Sequence, residues 1–146
     1  MTAELDPAER SRLLELAAGI PNPYWGMLGV TVEDVQGPGL VIMGLALRPE
    51  LSNRGGVMHG GAIMSLIDAA GGAAVRTMQR PGDPLPALPS TDISTSFINP
   101  AQGNVIAIGH AVRRGRTVAF AEVEVRDAAG TLVALGRTTY VVVSQH

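Results

Sequence analysis

The residue whose surroundings most invite chemistry is Asp68. Between His59 and Val75 it is the only charged side chain, in a segment otherwise made of Gly, Ala, Ile, Met, Leu and one Ser. The helix positions three and four residues away are Met64, Ser65, Gly71 and Gly72, none of them a cation. A carboxylate held inside a protein without a partner is costly. Two readings follow: a water-poor cleft in which the reactivity of Asp68 is tuned, or a face turned to solvent or paired with an Arg from a strand. Just upstream lies NRGGVMHGG, residues 53–61. Unpaired amides at a helix start, reinforced by the helix dipole, favour developing negative charge, and Gly60 leaves its N–H unobstructed. The same glycines also suit a plain sharp turn, Asn53 suits a loop, and His59 suits a helix cap.

The elements that must position these groups are legible from periodicity. Residues 60–79 read as an apolar, buried helix. Ile63, Ile67, Ala70 and Ala74 share the face toward a sheet, and Gly61, Ser65, Asp68 and Gly72 form a stripe of small and polar residues on the other. Residues 3–19 read as a short surface helix, with Asp6 and Pro7 at its start and Leu13, Leu14 and Ala17 on one face. IPNPYW reads as an irregular link. Strands are expected at 28–35 and 40–48 around the turn QGPG, then at 90–98, 105–112, 117–126 and 131–143. The last four are joined by NPAQG, RRGR and DAAG, short enough to make them antiparallel neighbours. Two strands, a long helix and four strands define an α+β fold with an antiparallel sheet on one central helix. Gly60 and Asp68 are separated by eight residues, or about 12 Å of helix. They cannot meet at one carbonyl within a single chain, so two copies packed antiparallel along their small-residue stripes would form a C2 dimer with composite sites.

Composition removes other chemistries. The 146 residues include no Cys, and all eleven basic residues are Arg. Disulfides, thiolate zinc sites, a Cys nucleophile, Schiff-base catalysis and a Walker A lysine are therefore excluded. The three His residues, at 59, 110 and 146, have no metal-ligand spacing, and no metal or cofactor is expected. A net charge of -2 and five aromatic residues leave neither a basic stripe nor a stacking platform for nucleic acid. With no long apolar run and a polar, acidic start, the chain reads as one soluble, cytoplasmic domain spanning residues 1–146.

Asn53, HGG at 59–61, the aspartate nine residues after that His, STDISTSFINPA (90–101) and RRGRTVAFAEVEVRDAAGTLVALGRTTY (113–140) together resemble the hotdog-fold acyl-CoA thioesterases, in particular the PaaI-type group. The resemblance implies a curved antiparallel sheet around the central helix and dimers that associate into homotetramers. It also implies hydrolysis of an acyl-CoA or aryl-CoA thioester. Asp68 would be nucleophile or general base, and the Gly60 amide would polarise the carbonyl from the partner subunit. Asn53 and His59 would position the thioester or water, and Ser90 would hydrogen-bond the water or carboxylate. Gly61 and Ser65 would lie against substrate.

Arg113, Arg114 and Arg116, with Gly115 between them, form either a solvated hairpin or a contact for the CoA phosphates. TMQRPGDPLPALP (77–89) reads as an extended, partly rigid loop at the acyl pocket, and Tyr24, Trp25 and Met27 either line an acyl chamber or cover the end of the core. Gly71 and Gly72 weaken the helix by about 1 kcal/mol each relative to Ala, which points to close packing there. A non-catalytic acyl-CoA-binding protein on the same fold is the main alternative. A hydratase is the other, although hydratases of this fold place Asp and His in one short motif.

Overall fold

The computed structural model describes residues 4–144. Helix α1 spans Pro7–Ala18 and buries Leu13 and Ala17. It begins four residues later than the periodicity predicts, because Pro7 takes the first helical position, where its missing N–H costs nothing. Residue 3 lies outside the described residues, as does His146. The expected irregular link is instead a short helix, α2, Pro23–Leu28. The Asn22 side chain accepts from the Tyr24 and Trp25 amides at 3.0 and 3.3 Å, which satisfies the first turn and starts a helix that hydrophobic periodicity cannot signal at this length.

Strands β1 (Thr31–Gly37) and β2 (Leu40–Leu45) form the first hairpin. Helix α3 runs Gly60–Arg76, and β3 (Ser90–Phe97), β4 (Val105–Arg114), β5 (Val118–Asp127) and β6 (Leu132–Val141) follow. Helix α3 stops three residues short of its expected end. Thr77 Oγ1 donates to the Ala74 carbonyl and accepts from the Gly39 amide, both at 2.7 Å, and the Met78 amide turns back to Val75. Pro81 follows soon after, as is common beyond a helix end.

The six strands form one antiparallel sheet in the order β1-β2-β4-β5-β6-β3. The expected β3–β4 hairpin is absent: β3 pairs with β6 and β4 with β2. The linker of residues 98–104 crosses two intervening strands, a step of roughly 14 Å at normal strand spacing that seven extended residues readily cover. β3 therefore becomes a largely exposed sheet edge. Where β4 and β5 face the helix they carry a run of small inward residues, Ala107, Gly109 and Ala111 on β4 and Ala119 and Ala121 on β5, and α3 settles into the space they leave. At Gly109 a Cβ would collide with the Ala70 backbone, so a side chain there would lift the helix from the sheet. No described helix is long and apolar enough to cross a membrane.

Candidate active site

Asp68 lies midway along α3 and is half-buried. It opens on a cleft of about 440 Å³, walled by Gly72 and Arg76 of α3, Ser90 at the start of β3, Tyr140 of β6, Trp25 of α2 and residues 85–89. Burial raises the Asp68 carboxyl above the ordinary Asp range, opposed by the nearby Tyr140 hydroxyl and the Arg76 charge. Asp68 has no ion pair among the described residues. The Arg76 guanidinium is held elsewhere, by the carbonyls of Leu16 and Ala17 at the end of α1. The Tyr140 hydroxyl donates to the Asp68 carbonyl at 2.7 Å, and burial keeps this phenol protonated.

The helix start faces a different opening. His59 is the N-cap of α3, and its Nδ1 accepts from the Gly61 amide at 2.8 Å. In the neutral ring the proton therefore sits on Nε2. Gly61 is thereby occupied, while the Gly60 amide makes no hydrogen bond among the described residues. Gly60 and Asn53 share a second concavity of about 390 Å³ with Phe97 and residues 98–101. Asn53 turns the loop, its Oδ1 accepting from the Gly55 amide at 2.9 Å, which leaves the side-chain NH₂ free to donate. Within one chain the structure thus brings Asp68 together with Ser90, and Gly60 with Asn53, but does not join the two pairs.

The small-residue stripe is less open than its sequence implies. Ser65 donates to the Gly61 carbonyl at 3.0 Å and pairs with the Tyr24 hydroxyl at 2.7 Å, so α2 covers this turn of the helix. Gly72 is buried beside Arg76 and Tyr140. Of the three residues before the first strand, Trp25 lines the cleft, while Tyr24 and Met27 are largely exposed. Arg113 and Arg114 end β4 rather than occupying its turn; Arg114 bonds to the Gly115 carbonyl and Gln79, and Arg113 and Arg116 are exposed. Arg114, Gly115 and Arg116 border a separate hollow against residues 78–83. Three contributors to the Asp68 cleft escape the sequence reading: Asn22, Arg76 and Tyr140. Arg76 is the next charge along the helix after Asp68, two turns on, beyond the three- and four-residue neighbours. Tyr140 has inward parity on a strand whose other inward residues are apolar or small.

A helix cradled by an antiparallel sheet, with a carboxylate at mid-helix, defines the class. The model of the thioesterase superfamily matches residues 55–134, and the chain belongs to that superfamily. It is a thioester hydrolase with a hotdog fold. A Halobacterium salinarum protein described as an esterase by inference is 38% identical over 122 residues, 77% of this chain and 80% of its own length. Acyl-coenzyme A thioesterase 13 of Homo sapiens is 30% identical over 105 residues, covering 70% of this chain and 72% of that protein. The E. coli PaaI protein from the phenylacetic acid degradation operon has the same fold, with a TM-score of 0.73 at 18% identity, covering 84% of this chain and 86% of that one.

Proposed function

We propose that the chain hydrolyses acyl-CoA or aryl-CoA thioesters at sites completed across a homodimer. Asp68 of one subunit acts as nucleophile or general base, and the Gly60 amide of the other stabilises the oxyanion. The observation that carries this reading is the division of labour within one chain: an unpaired, half-buried carboxylate in one cleft and an unengaged helix-start amide in another. A two-fold axis that places each beside its complement makes two equivalent sites. Ser90, in the Asp68 cleft, orients the carboxylate or the water. Asn53 donates toward the thioester beside Gly60. His59 acts through the helix start it caps, and Gly61 and Ser65 shape the same turn. Arg113, Arg114, Gly115 and Arg116 meet the CoA phosphates. Water and the thioester are the only reactants required, so no cofactor or metal is invoked. Association of dimers into a tetramer is supported by the outer sheet face, where Val112 and Phe120 share one exposed hollow and Leu135 and Ile106 are exposed further along the sheet.

The test uses two inactive parents. Asp68→Ala removes the carboxylate. Gly60→Pro removes the amide at a helix position that tolerates Pro, after a residue already extended at φ -62 and ψ 140. Each alone should lose about 10²-fold or more in thioester turnover, followed by free-thiol detection. Unfolded together and refolded as an equal mixture, they should recover about a quarter of wild-type activity, since half the dimers are mixed and each mixed dimer has one intact site. A mixture no more active than its parents refutes the composite site. Oxygen-18 from water entering the Asp68 carboxylate in a single turnover distinguishes nucleophile from base.

A further inference from the structure

The Asp68 cleft contains a cation that thioester hydrolysis does not use. Arg76 closes α3, and its Nε and Nη2 donate to the Leu16 and Ala17 carbonyls at 3.1 and 2.7 Å. These bonds clamp the guanidinium against the C-terminal end of α1, where the helix dipole is negative. A guanidinium has five N–H groups, and Nη1 has no protein partner among the described residues. Nor is Nη1 one of the buried atoms left without a partner; Arg76 lines the cleft, and its free donors open into that space. A Cβ on Gly72 would lie 3.4 Å from Nη1, which places the free donors beside the helix turn that follows Asp68. Residues four apart on a helix are about 6 Å apart along its axis. The space between is bordered by Trp25 and Leu88, apolar surfaces suited to methylene or aryl carbons.

We infer that Arg76 is a specificity-determining residue, selecting acyl groups that carry an oxygen acceptor, hydroxyl or carboxylate, about 6 Å beyond the thioester carbonyl. This rests on the hydrolysis reading above, which places that carbonyl at Asp68. The clamp on α1 gives the guanidinium a fixed direction, so little side-chain freedom is lost when a ligand binds. An acyl chain ending in a methyl group leaves Nη1 facing apolar carbon, and the lost hydrogen bond is one to a charged donor.

The experiment compares three CoA thioesters with acyl chains of five carbons: pentanoyl, 5-hydroxypentanoyl and glutaryl. In the wild-type protein, kcat/KM for at least one of the two oxygenated substrates should exceed that for pentanoyl by about tenfold or more. Preference for the hydroxyl alone identifies a neutral acceptor, and preference for glutaryl an anionic one. In Arg76→Gln the ratio should fall to about one. Turnover of pentanoyl-CoA with no preference for either oxygenated chain overturns the inference and leaves the hydrolysis reading intact; the wild-type comparison decides this even if the variant does not fold. A preference that survives in folded Arg76→Gln also overturns it. Absence of turnover across a broad thioester panel removes the hydrolysis reading and this inference together.

Discussion

Two neighbouring glycines of α3 should respond to the same substitution with opposite signs. Helix propensity alone predicts that Gly71→Ala and Gly72→Ala each stabilise by about 1 kcal/mol. At Gly71 the new Cβ would lie 2.5 Å from Thr138 Oγ1 and 2.6 Å from Tyr140 Oη. Neither atom can swing aside into solvent, because Thr138 and Tyr140 are 1% and 2% exposed. Overpacking of this kind costs about 1–3 kcal/mol. Displacing Tyr140 also removes its hydrogen bond to the Asp68 carbonyl, worth about 1 kcal/mol. Less the propensity gain, Gly71→Ala should destabilise by about 1–3 kcal/mol and lower Tm by about 2–12 °C. At Gly72 the nearest atoms are Arg76 Nη1 at 3.4 Å and the Tyr140 ring at 3.8 Å, ordinary contact distances. There the propensity gain survives, and Tm should rise by about 2–4 °C. Calorimetry or urea titration of both variants decides the matter. Stabilisation by Gly71→Ala would show that Thr138 and Tyr140 do not press on the helix, and the described Asp68 cleft wall would be wrong.

Three further outcomes are expected. Asp68→Asn should lower kcat by about 10²-fold while raising Tm at neutral pH, because burial raises the Asp68 carboxyl in the folded state. The folded chain binds that proton more tightly than the unfolded one, so wild-type stability falls as pH climbs from the ordinary Asp value of 3.8 through the raised one. The variant's advantage should therefore be absent in acid and open over that interval in a Tm-against-pH series. Tyr140→Phe removes a hydroxyl that lowers the Asp68 carboxyl, so the acid limb of kcat/KM should move to higher pH; an unmoved limb separates Tyr140 from Asp68 ionisation. Asn22→Ala strips the cap from α2 at about 1 kcal/mol, and since Trp25 is the only tryptophan, a change in its emission reports the displacement of that cleft wall.

What the sequence made legible was set by how far each signal reaches along the chain. The apolar run around Asp68 disclosed a buried helix, and alternation disclosed all six strands, because both patterns arise from local geometry. Short connections misled at residues 98–104, where length alone does not distinguish a hairpin from a crossing of the sheet. α2 was missed because it is six residues long and depends on a single Asn cap rather than on a face. The expectation of close packing at Gly71 and Gly72 holds for Gly71 alone, since what presses on it arrives from β6, some seventy residues away in sequence. Tyr140 reaches Asp68 by the same long-range approach, which periodicity does not encode, whereas Arg76 lies on the same helix but two turns on, beyond the three- and four-residue neighbours that helix spacing brings together.

The groups around Asp68 divide sharply by how they are bound, and the division bears on how the carboxylate works. Tyr140 is tied to the Asp68 carbonyl, Asn22 to the amides of α2, and part of the Arg76 guanidinium to the end of α1. Each bond is to backbone, so each side chain is oriented before anything enters the cleft. Asp68, by contrast, has neither a cation nor a backbone amide to bond its oxygens among the described residues. Its burial is offset only by the distant attraction of Arg76 and the approach of the Tyr140 hydroxyl. A carboxylate in this position keeps its lone pairs available and its basicity above that of a solvated Asp, the two properties required of a group that attacks a carbonyl or deprotonates water. Had Arg76 formed a close ion pair with it, basicity would fall and the lone pairs would be occupied. The two carbonyls of α1 engage the guanidinium instead, so the docking of the N-terminal helix bears directly on the reactivity proposed for Asp68.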